Sequence, residues 1–349
     1  MSASNNRNKD YETYHHLMSR IAHQVFFMTD EVRNDFLEMI RRAADFCGIR
    51  LVAWCIMANH FHILAFLPAP EALGEEEILR RYGVLKGPIK LEVLRKELAS
   101  MRLNKETGEA AAQERLKAIS DSMYKVGVFM KILKQWLTQE YNSRYTHRGT
   151  LWEGVYKDVL VKNTPAELGK RAGYIHLNPV RAAICSGSDE YLWSSLNALK
   201  RGDELALDGM RRIYGAEASR EEILESHRHL MAELLEKMKL ERAEEIARKR
   251  AAGIEMPVDH LTSEALVAQA EANLARAAVS LVEEKTVEKA KGRPKVGGER
   301  LCETIRRLLA ENPSMGSQAI VEATGKPRST VFRYLKQVRA GLGADVTVS

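Results

Sequence analysis

The 349-residue sequence contains no apolar run near the ~20 residues that span a bilayer, so no membrane association is expected. Its opening residues, "MSASNNRNKDYETY", lack the apolar core of a secretory signal. On both observations a cytoplasmic location is expected. Cysteine is scarce. Cys47, Cys55, Cys185 and Cys302 are scattered with no CxxC pair, which excludes a zinc knuckle and a disulfide framework. No internal repeat is visible, so solenoid architectures are not expected either.

What is present is an uneven distribution of charge. The net charge is +6, and residues 291–349 alone hold 11 Lys/Arg against 5 Asp/Glu, a surplus equal to that of the whole chain. A small basic module at the end of an otherwise balanced chain points to nucleic acid as the partner.

The order of elements is legible from periodicity. Residues 11–20 suit a first strand. Thr29 and Asp30 offer N-caps for a helix whose Val32, Phe36, Met39, Ile40 and Ala43 recur at helical spacing, closed by Gly48. "IRLVAWCIM" (49–57) and "HFHILAFL" (60–67) read as a hairpin about Ala58 and Asn59. A charged helical insertion is expected at about 71–125, then a helix over 126–145 and a strand over 154–162. Thr164, Pro165 and Glu167 predict a capped helix over 165–178, with Pro179 as its stop. Strand, helix, two strands, helix, strand is the split βαβ order. The expected fold is therefore α+β, a ferredoxin-like antiparallel sheet with a helical insertion, followed by an all-α C-terminal region. The expected division is a first domain at 1–200, a helical arm at 201–290, and a basic linker with a DNA-binding module at 291–349.

Within the second hairpin strand, His60 and His62 are two apart and share a face. Two neutral imidazoles so placed suit a divalent cation, although a His-x-His strand is more often structural. On the capped helix Tyr174 and Asn178 are one turn apart, so Asn178 could add an amide oxygen while Tyr174 presents a hydroxyl beside the ion. A phenol is a weak nucleophile at neutral pH, and its attack on a phosphodiester becomes feasible where a cation polarises the phosphate. The alternative is that both residues merely complete a helix surface and its C-terminal cap. Arg144, Arg148 and Lys157, with Lys162, are candidate phosphate contacts, and Tyr145 and Trp152 candidate base-stacking groups. Arg171, one turn before Tyr174, is a candidate for steadying the scissile phosphate.

The His-hydrophobic-His strand, "LWEGVYKDVLV" and "YIHLNPVRAAI", in that order, resemble the REP-associated tyrosine transposases of the HUH single-strand nuclease superfamily. The resemblance spans roughly residues 11–200. It implies that His60, His62 and Asn178 hold Mg²⁺ or Mn²⁺ and that Tyr174 cleaves single-stranded DNA, leaving a 5′-phosphotyrosine link and a free 3′-hydroxyl. It also implies a hairpin or palindromic substrate. A homodimer is consistent with it, since cleaving two sites needs two tyrosines. The chain departs from the family at "SRIAHQ", where a Gly-Asn type turn is usual, and at Val155, where arginine is common.

Residues 299–340 predict three short helices. Ile305, Leu308 and Leu309 line the first, Ile320 and Val321 the second, and Val331, Leu335 and Val338 the third, with a turn at Gly325. The pattern resembles a helix-turn-helix binding duplex DNA, in which Arg328, Ser329, Thr330 and Arg333 face the major groove. "KGRPK" (291–295) resembles a minor-groove hook or a plain basic linker. Two rival readings are a non-catalytic hairpin-binding regulator and a metal-dependent hydrolase of the amidohydrolase type, which also begins with His-x-His on a strand.

Overall fold

The computed structural model describes residues 12–22, 28–146, 148–290, 298–312, 315–328, 330–332, 334, 335 and 338. They fall into two compact units, Met1–Val267 and Ala268–Ser349.

The first unit starts with β1 (Thr13–Arg20). Thr29 then caps α1 (Asp30–Cys47) by accepting from the Val32 N–H, and the five expected apolar positions are all buried. Gly48 closes α1 at φ 65, a left-handed conformation that favours glycine; a Cβ there would also lie 2.6 Å from the Tyr124 ring. β2 (Arg50–Ile56) and β3 (His60–Leu67) form the expected hairpin. Next come α2 (Glu75–Lys86), α3 (Pro88–Arg102) and α4 (Gly108–Ser120), the helical insertion. Leu79, Leu94, Leu98 and Leu116 join its packing to the main core. Then α5 (Val126–Tyr145) leads to β4 (Lys157–Val161).

The sheet order is β2-β3-β1-β4, with every neighbouring pair antiparallel. This is the expected α+β arrangement. It contains none of the repeated parallel βα units that an amidohydrolase-type barrel requires. Odd-numbered side chains of β3 face α1 and α5: Phe61 meets Phe36 at 5.2 Å, and Phe36 stacks on Trp136 at 6.1 Å. Even-numbered ones, including His60 and His62, point to the other face. There they meet α6 (Pro165–His176).

The predicted helix over 165–178 is in fact broken. α6 stops at His176, and Asn178 opens a separate short turn, α7 (Asn178–Arg181). Pro179 therefore starts a helical turn rather than ending a helix, since the first turn of a helix has no partner for the N–H that proline lacks.

α8 (Ser195–Lys200), α9 (Glu204–Tyr214) and α10 (Arg220–Ala251) follow. α9 lies on β2 where the pairing register shifts between Leu51 and Ala53. The approach requires Gly209, because a Cβ there would sit 2.4 Å from the Leu51 carbonyl oxygen. α10 opens with a reciprocal Ser219–Glu222 capping box and packs along α6.

A buried polar chain ties these helices to the sheet. The Trp54 N–H donates to Ser195 Oγ at 2.9 Å, and Ser195 Oγ meets His176 Nε2 at 2.6 Å. His176 Nδ1 meets His227 Nε2 at 2.8 Å, and His227 Nδ1 meets the Tyr214 hydroxyl at 2.7 Å. Burial pushes His227 down to about 4, and burial with the nearby His227 holds His176 well below the ordinary range. The unfolded chain takes up these protons first, near pH 6.5. Their stabilising contribution is thus full above about pH 6.5 and is lost as pH falls towards 4, by about 1.4 kcal/mol per pH unit per imidazole. Urea titrations should show a midpoint that drops between pH 7 and pH 5. A flat midpoint would contradict neutral burial of this pair.

α11 (Glu264–Ala290) is followed by α12 (Gly298–Glu311) and α13 (Ser317–Thr324). In the second unit, Leu301, Ile305, Leu309, Ile320, Val331, Leu335 and Val338 form one small core, with Leu308 and Val321 packed against it. These include all eight apolar positions read from periodicity. Gly325 caps α13 as expected. Arg328 is exposed and lies over the Phe332 ring at 5.4 Å, while Thr330 is half-buried. Ser329 and Arg333 fall outside the described residues.

Candidate active site

β3 sets the His60 and His62 rings 5.2 Å apart and nearly perpendicular. The pairing register places Arg20 of β1 opposite His60 and Met18 opposite His62. A third imidazole then arrives diagonally from β1. His16 Nε2 lies 3.0 Å from His62 Nδ1 and is fully buried. From the facing helix α6, the Tyr174 ring stands edge-on, 6.1 Å from both the His62 and the His16 rings. The Thr164 hydroxyl accepts from the Glu167 N–H and fixes the start of that helix. Tyrosine and imidazole pair, far apart in sequence, thus converge within one chain.

Burial is the leading cause that keeps these imidazoles neutral. His60 and His16 are pushed down to about 4 and His62 to about 2. Arg20 and Arg181 add to this at His60, Arg171 adds at His16, and His16, His60, Arg181 and Arg20 add at His62. Neutral imidazole is the form that ligates a cation.

The hydrogen bonds decide which ring nitrogens are open. The Asn59 amide oxygen lies 2.7 Å from His60 Nδ1 and accepts its proton, leaving the Nε2 lone pair free. At His62 the polarity is the reverse. Arg171 Nη1, 3.2 Å from His16 Nδ1, can only donate. Neutral His16 therefore carries its proton on Nε2 and donates to His62 Nδ1, so neutral His62 holds its own on Nε2. A cation taken at His62 Nε2 requires these two rings to exchange tautomers. Asn178 uses its amide nitrogen on the carbonyls of Tyr174 and Ile175, at 3.0 and 3.1 Å, and so keeps its oxygen for another partner. By donor chemistry two imidazole nitrogens and an amide oxygen would suit a divalent cation, but Asn178 is not among the residues lining the cavity beside His60 and His62. Among the described residues, no three His, Cys, Asp or Glu side chains form a metal-holding group on their own.

A cavity of about 460 Å³ opens beside the pair, lined by Met18, Arg20, His60, His62, Glu153 and Lys157. Lys157 thus lines the same cavity as the pair. Arg148 is exposed, without a placement at this cavity. Arg144 is engaged elsewhere, in ion pairs with Glu140 at 2.5 Å, Asp35 at 2.6 Å and Glu31 at 3.1 Å. Trp152 is a core residue rather than a stacking platform: it is buried against Phe61, and its indole N–H bonds Thr138 Oγ1 and the Lys134 carbonyl. Arg171 is turned onto His16. Sequence reading missed His16, Arg20 and Arg181. The last stands seven residues after Tyr174, a same-face helical spacing that a helix stop at Pro179 conceals.

Comparison with known proteins bears on this sheet directly. Residues 9–74, which contain His16, His60 and His62, match the family of IS200-like transposases. The matched stretch takes in β1, β2 and β3 and stops short of β4, Tyr174 and Asn178. Residues 304–337 match the IclR helix-turn-helix domain. A solved structure described as the REP associates tyrosine transposase bound to a REP hairpin is 10% identical, with a TM-score of 0.36, over 58% of this chain and 87% of that one. No curated protein matches the chain. No described helix is long and apolar enough to cross a membrane.

Proposed function

We propose that the chain is a single-strand DNA endonuclease and strand transferase in which Tyr174 is the nucleophile. The observation that supports this best is the edge-on approach of the Tyr174 ring to the His62 and His16 rings at 6.1 Å. The phenolic oxygen attacks phosphorus and gives up its proton as the Oη–P bond forms. The P–O3′ bond breaks, and the 3′-oxygen takes a proton. The phosphodiester energy is kept in the phosphotyrosine, so attack by another 3′-hydroxyl reseals the strand without ATP. His60, His62 and the Asn178 oxygen would hold Mg²⁺ or Mn²⁺, which supplies Lewis-acid polarisation of a non-bridging phosphate oxygen. Lys157 and Arg20 line the cavity through which the strand would enter. A hairpin substrate is proposed on the family resemblance alone.

The C-terminal helices are proposed to bind duplex DNA through Arg328 and Thr330, with Ser329 and Arg333 added on the sequence pattern alone. Arg328→Ala should weaken duplex binding by about 1–3 kcal/mol if the guanidinium reads a base, while cleavage of a short hairpin is unchanged. Electrophoretic titration against duplex and hairpin checks both halves of that statement.

A second reading, binding without cleavage, has one observation in its favour: the absence, among the described residues, of a self-sufficient three-ligand cluster. The two are separated by incubating the chain with labelled single-stranded hairpins and Mn²⁺, then running a denaturing gel. A covalent protein–DNA band supports the nuclease. Binding without any such band across a broad hairpin library supports the regulator.

A further inference from the structure

Three guanidiniums lie around Tyr174 and the imidazole pair, and they are not equivalent. Arg171, the one expected to serve the phosphate, donates to His16. Arg20 sits at the end of β1, on the cavity side of His60. Arg181, the last residue of α7, places its guanidinium carbon 4.8 Å from the centroid of the Tyr174 ring, over its face.

Two features make this arrangement unusual. First, among the described residues Arg181 has no carboxylate partner and no side-chain hydrogen bond, whereas Arg144 has three carboxylates. Its five N–H donors are thus uncommitted in a half-buried position. Second, its base is fixed. The Arg181 backbone N–H donates to the Leu177 carbonyl at 2.9 Å, and Asn178 in the same turn is bonded back to the end of α6. The turn that carries Arg181 is thus hydrogen-bonded to the end of the helix that carries Tyr174. A guanidinium held without a counter-charge is a site for an anion, and its planar fork matches two phosphate oxygens.

We infer that Arg181 holds the phosphate presented to Tyr174, contacting its non-bridging oxygens from the helix side while His60 and His62 face it from the sheet. This rests on the cleavage reading above for its chemical consequence, but the contact itself can be read without any reaction. During attack the non-bridging oxygens gain negative charge, and a fixed guanidinium beside them stabilises that charge without reorganising.

The contact is tested in Tyr174→Phe protein, which cannot form the covalent link. Hairpin oligonucleotides carrying one uncharged methylphosphonate at each linkage in turn are titrated with and without Arg181→Gln. At a single linkage the substitution should cease to matter, and that linkage should be the one the unsubstituted protein cleaves. With Tyr174 present, Arg181→Gln should slow single-turnover adduct formation about 10²-fold, with hairpin affinity changed only a few-fold. Arg181→Lys, which keeps the charge but not the fork, should recover part of the rate. Unchanged melting temperatures exclude a folding defect as the cause. No linkage singled out, a linkage other than the cleaved one, or an unchanged rate would each overturn the assignment. A singled-out linkage in a protein that forms no adduct on any hairpin would uphold the contact and remove the cleavage reading instead.

Discussion

Replacing Tyr174 by phenylalanine should abolish the covalent protein–DNA adduct while leaving hairpin binding within a few-fold of the unsubstituted chain. The substitution removes one oxygen from a half-buried ring that already packs against the core. The ring's contacts with His62, His16 and the Arg181 guanidinium involve its edge and face and survive in phenylalanine. Fold and DNA affinity should therefore persist. The proposed nucleophile has no local substitute, because no other tyrosine ring approaches this imidazole pair among the described residues. Denaturing gels for the adduct and filter binding for affinity read the two properties separately. Equal loss of both would mean that Tyr174 has a structural role.

His62→Ala should have the second largest effect. Removing an outer partner of a metal ligand costs 10–100-fold in affinity or activity, so removal of a ligand should cost at least about 10²-fold in adduct formation. Mn²⁺ affinity, followed by calorimetry without DNA, should fall in parallel, and raised Mn²⁺ should restore part of the rate. His62 is 6% exposed and bonded to His16, so the alanine variant also leaves His16 Nε2–H without its acceptor. His60→Ala, at a half-buried position, avoids that complication and should show the same loss of Mn²⁺ affinity. Unchanged Mn²⁺ binding in both variants would mean that the pair is not a cation site.

The parts of this site legible in the sequence are those set by local spacing. His60 and His62 share a face because strand side chains alternate, and Tyr174 stands on a helix announced by Thr164, Pro165 and Glu167. The β1-to-β4 order was legible for the same reason. What was not legible depends on pairings distant in sequence. His16 reaches His62 only through the β1–β3 register, which apolar alternation alone does not fix to one residue. Arg144 looked like a free basic residue because Asp35 and Glu31, its partners on α1, are 109 and 113 positions away. Trp152 needed knowledge that α5 would offer the Lys134 carbonyl. The break between α6 and α7 hides Arg181, since a proline that ends helical geometry and one that begins a new turn look alike in sequence.

α9 and α10 illustrate the same limit. Residues 201–290 read as a helical arm, yet α9 lies on β2 and α10 flanks α6 beside Tyr174. α9 buries Ala206, Leu207, Gly209, Met210 and Ile213 within 11 residues, a stripe that periodicity can show, whereas the buried positions of α10, among them Ile223 and His227, are thinly spread over 32 residues and barely register.

The most direct measurement of the central claim is to form the adduct with Mn²⁺ and labelled hairpin, digest it, and map the DNA-bearing peptide by mass spectrometry. The account predicts a phosphodiester link at Tyr174 and no adduct when the cation is chelated. Linkage at any other residue, or an adduct that forms equally well in chelator, would contradict it.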